Sequence, residues 1–366
     1  MIPLLDLKAQ YRSLQAEMDA AVCAVMAEGH FILGPNVSAL EQEIAAYLGV
    51  RHAVGVASGT DALIIGLRAA GVEAGDEVIV PAYTFFATAG AVLTVGAVPV
   101  IVDVDPRTYA LDTAQVEARL TPRTRAIVPV HLYGHPAPME AVLALARKHH
   151  LRVVEDNAQA FGARYHGQRT ASLGDVGCLS FFPTKNLGGY GDGGMVVTDD
   201  DGIAEQARML RVHGWKRKYY PEMLGYNSRL DEIQAAVLRV KLKYVDGWNE
   251  QRRALAEVYR AGFAGSPVSV PVEEPGCEHV YHLYVVRVPR RAAVQAHLKA
   301  AGIASDVYYP LPLHLTQPCR KLGGAEGDFP QAEQASRETL AIPLYPEMSS
   351  ADQQQVIREV LAAVGG

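Results

Sequence analysis

The chain has 366 residues, 49% hydrophobic and 20% charged, with a formal net charge of -6. That length accommodates two domains with a core each, the composition excludes a disordered or fibrous protein, and the negative balance argues against general nucleic-acid binding, which needs a cationic surface. No run approaches the roughly 20 apolar residues of a membrane span and no apolar run follows a basic start, while Cys23, Cys178, Cys277 and Cys319 are widely spaced without a CxxC pair, so a reducing cytoplasm is the expected address.

In chain order, the pattern predicts a helix from about Leu14 to Glu28 and a second that opens with Ser38 and Glu41, whose spacing fits a capping box. From Ala53 short β-branched runs take over: AVGVA, EVIVP, VPVIVDV, RAIVPV and RVVED, separated by helical stretches. Apolar strands joined by right-handed crossovers predict a mainly parallel sheet covered on both faces. Its ligand site belongs at the C-terminal ends of the strands. Further strands around Cys178 to Phe182 and Met195 to Thr198 bring the sheet to seven. A long helical stretch from about Leu230 to Gly262 leads out of it. After the loop GSPVSVPVEEPG come a strand in HLYVVRV, a helix from Arg291, a strand near Asp306 to Tyr309 and a last helix from Ser350. The expected division is a large domain over 1–245 and a smaller C-terminal α/β domain over 246–366.

Several residues in this frame carry chemistry. SFFPTKNLG puts Lys185 in a loop after a strand. A lysine amine attacks a carbonyl only when unprotonated, so it needs burial or a cationic neighbour; taken alone, such a lysine is more often a solvated surface residue. RVVED ends in Glu155 and Asp156, where a parallel sheet presents side chains to a ligand. Asp156 is the carboxylate suited to a protonated ring nitrogen, Glu155 faces the other way, and Gln159 can turn to the same ligand if a helix or turn begins there. Ser58, Gly59 and Thr60 follow a strand and open a helix, where bare amides and hydroxyls bind phosphate or simply cap the helix. Ser180 adds a hydroxyl, and Phe85, just past a strand end, offers a ring to stack on a flat heterocycle or to fill the core. The literal GxGxxG at Gly189 to Gly194 precedes a strand instead of following one, which discards a dinucleotide site. His131 and His135 stand at zinc-ligand spacing without the acid of a helical metalloprotease motif, and no metal is expected.

Taken together, SGTDAL, the TFFAT run, EDNAQAFG, SFFPTKNLG, GDGGMVVT and GYNSRLDEIQAA resemble, in this order, the DegT/DnrJ/EryC1/StrS family of sugar aminotransferases, across nearly the whole chain. The resemblance implies the type I, aspartate-aminotransferase-like fold, pyridoxal 5′-phosphate as cofactor, and a homodimer with shared active sites. It makes Lys185 the covalent anchor and acid-base, and Asp156 the partner of the pyridine nitrogen. Gln159 and Phe85 would meet the ring, and Gly59, Thr60 and Ser180 the phosphate. It adds Asn227, reaching the partner's phosphate, and places Arg229, Tyr308, Tyr309 and His314 at the substrate. The implied reaction passes an amine from an amino acid, glutamate, to a nucleotide-linked keto-sugar. A sugar dehydratase is disfavoured, because that branch carries histidine where Lys185 stands. GYGDGG after Lys185 and LRVKLKYVDGWNEQRR resemble the branch that aminates C3 of a dTDP- or UDP-linked sugar. A C4 aminotransferase and a cofactor-binding regulatory protein without turnover are the alternatives. Two departures, Asn157 in place of alanine and Tyr308 in place of a histidine before Tyr309 and Pro310, bear on sugar recognition.

Overall fold

The computed structural model describes residues 1–365. Seven strands form its main sheet: β1 (His52–Val56), β2 (Glu77–Pro81), β3 (Val98–Val102), β4 (Thr124–Ile127), β5 (Arg152–Asp156), β6 (Val176–Ser180) and β7 (Gly194–Thr198). Their order is β1-β7-β6-β5-β4-β2-β3. β7 runs against both of its neighbours, and the other pairings are parallel. The strands are buried along nearly their whole length because helices cover both faces, which is why they read as continuous apolar runs.

A second core gathers the C-terminal part of the chain. The strand Tyr284–Arg287 pairs antiparallel with Thr339–Ile342, and the helices Val245–Gly262, Arg291–Ala300 and Ser350–Gly365 contribute residues such as Tyr259, Leu298 and Val356. Ile2 joins this core and bridges to Ile303, so it draws on the opposite end of the chain. No helix among the described residues is long and apolar enough to cross a membrane.

Four local expectations change. The first helix spans Leu7–Glu28, because Asp6 accepts the N–H groups of Lys8 and Ala9 and caps it about two turns earlier. The second helix starts at Pro35, and Ser38 and Glu41 lie inside it. Its first amides, on Asn36 and Val37, donate instead to the buried Glu232 carboxylate at 2.9 and 2.8 Å. Glu41 turns to the Gly55 N–H and to Arg211. The long stretch after Leu230 is two helices, Glu232–Leu242 and Val245–Gly262, parted where Tyr244 bonds Glu17 and stacks on Trp248. No strand covers Asp306 to Tyr309; Asp306 pairs with Ala341, and the chain then leaves the sheet to bond Tyr83 and Tyr133.

Candidate active site

The C-terminal ends of β1, β5 and β6 converge on a cavity of about 410 Å³. Gly59, Thr60, Phe85, Asp156, Gln159, Ser180 and Lys185 all line it, as do Tyr308 and Tyr309. One wall is the start of the helix Gly59–Ala69, where Ser58 Oγ accepts the Asp61 N–H at 3.1 Å. That leaves the amides of Gly59 and Thr60 without helical partners, in the position where helices bind anions. Glycine at 59 is a packing requirement: a Cβ there would stand 2.5 Å from Ser180 Cβ. The close approach brings Ser180 and the helix start to one place.

Asp156 ends β5 and is buried; its Oδ2 accepts from Thr88 Oγ1 at 2.8 Å and its Oδ1 from the Ala158 N–H at 3.2 Å. Burial raises its pKa, opposed by the Thr88 and Ala158 hydrogen bonds and by the charge of Lys185. A buried carboxylate with neutral donors only is costly, and a cationic N–H in the cavity relieves that cost. Lys185 sits past β6 with its amine 3.5 Å from His282 Nε2. Burial pushes this lysine down to about 8, and Asp156 holds it from falling further. His282 is held well below the ordinary imidazole range by burial, then by Lys185 and Arg252, so it is neutral. Gln159 spans the site, accepting the Tyr133 N–H and donating to Tyr309 Oη, both at 2.8 Å. Phe85 is 54% exposed and lies 5.7 Å from the Tyr309 ring, which leaves a ring face open to a flat ligand. An anion cradle, a carboxylate in want of a cationic N–H and an amine that deprotonates near neutrality form a donor set that fits pyridoxal 5′-phosphate.

Other expected site residues lie elsewhere. Asn227 is exposed, bridged to Val212, and Arg229 is half-buried; neither lines the cavity of its own chain. His314 is corrected: it is fully buried, 3.1 Å from Glu333 and packed on Phe329, so it does not reach the cavity. The decoys also resolve. His131 binds Glu155 at 2.9 Å behind the sheet, where three amides, of Ala171, Leu173 and Gly174, complete the carboxylate's partners. His135 packs edge-on against His279.

Sequence reading missed Thr88, His282 and the pair Tyr83 and Tyr133. Thr88 had a usable signal, since it follows Thr84 by four and starts the helix Ala87–Thr94. His282 had none, because it precedes its strand and the facing of a loop residue is not periodic.

The family model described as the DegT/DnrJ/EryC1/StrS aminotransferase family matches residues 12–361. A Geobacillus stearothermophilus protein named "pleiotropic regulatory protein" is 51% identical over 362 residues, covering 98% of this chain and 97% of its own. The dTDP-3-amino-3,4,6-trideoxy-alpha-D-glucose transaminase of Streptomyces venezuelae is 48% identical over 360 residues, covering 98% and 95%. The crystal structure of S. venezuelae DesV in complex with a ketimine intermediate superposes with a TM-score of 0.97 at 47% identity, covering 100% of this chain and 99% of that one.

Proposed function

We propose that this chain, which belongs to the DegT/DnrJ/EryC1/StrS aminotransferase family, passes the amino group of glutamate to C3 of a dTDP- or UDP-linked 3-keto sugar. It is a pyridoxal-phosphate-dependent aminotransferase of the type I fold. The observation that carries the reading is the pairing, in one cavity, of a depressed lysine with a buried carboxylate whose hydrogen-bond donors are all neutral. The C3 assignment is supported by the resemblance of the segments after Lys185 and in 238–253, and by the name of the Streptomyces relative.

When bound, the cofactor supplies an electron sink for the bond broken at the substrate carbon. The chain's residues do the rest. Asp156 keeps a proton on the ring nitrogen through a charge-assisted hydrogen bond. The amides of Gly59 and Thr60, with Ser180, hold the phosphate. Lys185 would hold the group through its amine, and the same amine, free in this cavity, would move a proton at the substrate carbon. Leu4, Leu5 and Leu344 line the same cavity and limit water there. Tyr308 and Tyr309, which line the cavity, contact the sugar nucleotide. Asn227 serves the phosphate of a partner subunit, a role supported by its exposure outside its own cavity.

The name of the Geobacillus relative favours a second reading, a cofactor-binding regulator without turnover. Single-turnover spectroscopy separates the two. Glutamate should convert the cofactor's visible band, and a 3-keto sugar nucleotide should restore it. A band that glutamate shifts and no keto-sugar restores supports the regulator.

A further inference from the structure

Tyr308 and Tyr309 reach the cavity from the C-terminal part of the chain, and two tyrosines that follow strands of the main sheet hold them there. Tyr83, two residues past β2, is fully buried. Its hydroxyl lies 2.8 Å from each of three groups: the Tyr308 carbonyl, the Tyr309 N–H and Thr339 Oγ1. Tyr133 Oη donates to the same Tyr308 carbonyl and lies 3.4 Å from Tyr83 Oη.

A phenol has one proton to give and two lone pairs to fill. The distances fit an assignment in which Tyr83 donates to the Tyr308 carbonyl and accepts from the Tyr309 amide and the Thr339 hydroxyl. Every hydrogen-bonding position of Tyr83 is then used. Burial raises the pKa of both Tyr83 and Tyr133, so both remain protonated donors. At the far end of the same side chain, Tyr309 Oη accepts from Gln159 Nε2 at 2.8 Å, and Gln159 Oε1 accepts from the Tyr133 N–H at 2.8 Å. Tyr309 is therefore held at its backbone and at its hydroxyl by one connected set of bonds. Its hydroxyl hydrogen is left for a group in the cavity it lines. Thr339 opens a strand of the second core, so the same cluster also ties the two cores together beside the site.

We propose that Tyr83, supported by Tyr133, is a positioning residue for sugar recognition, acting through Tyr309; this rests on the reading of Tyr309 as a sugar contact. A contact made by one hydroxyl depends on placement to well under an ångström. Tyr83→Phe removes the acceptor of the Tyr309 amide and a donor to the Tyr308 carbonyl while keeping the ring that fills the core.

The test uses the holoenzyme and four variants: Tyr83→Phe, Tyr133→Phe, Tyr309→Phe and the double Tyr83→Phe/Tyr309→Phe. Steady-state constants are measured for glutamate and for the keto-sugar, with the Kd of the amino-sugar nucleotide taken by calorimetry. In Tyr83→Phe the sugar KM and the product Kd should rise about tenfold, the order expected for one lost hydrogen bond, and by several times more than the KM for glutamate. Tyr133→Phe should move them in the same direction. The double variant should bind no more weakly than Tyr309→Phe alone, because Tyr83 acts through Tyr309. Effects of Tyr83→Phe and Tyr309→Phe that multiply, or equal losses toward glutamate and sugar, overturn the positioning role and leave the Tyr309 contact standing. A Tyr309→Phe variant with unchanged sugar affinity overturns the contact itself, and the proposal with it. Should Tyr83→Phe fail to fold, Thr339→Val takes its place under the same criterion of non-additivity.

Discussion

Lys185 and Asp156 are opposed by burial and supported by each other. Burial disfavours charge on both, pushing the lysine down to about 8 and the carboxyl up, while each charge favours the other. The sign of the consequence is fixed. The amine is the reactive form, so capture of pyridoxal phosphate by the apoprotein should quicken as pH rises through about 8, against 10.5 for an ordinary lysine. Because Asp156 raises the lysine's pKa, Asp156→Asn should move that profile to lower pH. Stopped-flow absorbance of cofactor capture reads both; a midpoint near that of a free lysine, or an upward move in the variant, contradicts the coupling. Asp156 was legible at a strand end, whereas Lys185, taken alone more often a solvated surface residue, became legible only through the resemblance that SFFPTKNLG and the other motifs carry. Thr88 was missed although its spacing from Thr84 gave a signal, and His282 had none, because the geometry that brings it to Lys185 is tertiary.

Helix starts show where element-level reading stops. Ser38 and Glu41 have the right spacing for a capping box, yet the helix Pro35–Leu48 begins with proline after Gly34, whose missing side chain cannot cap. The cap comes from Glu232, 1% exposed and remote in sequence, and a Cβ on Gly34 would come within 2.8 Å of its carboxyl carbon. Nothing local encodes that contact. Glu232→Ala leaves two buried-end amides without acceptors and should cost roughly 1–3 kcal/mol in urea unfolding, with cofactor capture by the folded protein little changed. An unchanged unfolding midpoint would mean that the carboxylate is not the cap. By contrast, the strands β1 to β7 fell where their β-branched runs stood, because a sheet buried on both faces leaves a continuous apolar signature. The strand expected near Asp306 to Tyr309 failed for the opposite reason: tyrosine hydroxyls and backbone there satisfy one another around the cavity instead of a ladder.

At the scale of the whole molecule, the cavity gathers Lys185, Asp156, Ser180 and the start of the helix Gly59–Ala69 within one chain, while Asn227 and Arg229 stand outside it. The segment that carries them is fixed to the cofactor wall through Ser228, which donates to Asp61 at 2.6 Å and accepts the Ala57 N–H at 3.1 Å. If Asn227 serves a neighbour's site, mixed dimers of inactive Lys185→Ala and inactive Asn227→Ala chains should regain activity, since one of the two sites then receives both intact residues. Absence of recovery with subunit exchange verified would place the sites within single chains. The chemistry of amine transfer was readable from the sequence through the motifs around Lys185 and Asp156, whereas the proposed sugar contacts at Tyr308 and Tyr309 depend on the cluster behind them, whose arrangement no spacing reveals. The sugar's orientation is what decides which carbon meets the amine. The most direct measurement supplies nitrogen-15 glutamate with a panel of dTDP- and UDP-linked 3-keto and 4-keto sugars and reads the labelled carbon of the product by NMR: nitrogen bonded to C3, from a 3-keto sugar, is the expected result, and efficient labelling at C4 alone contradicts it.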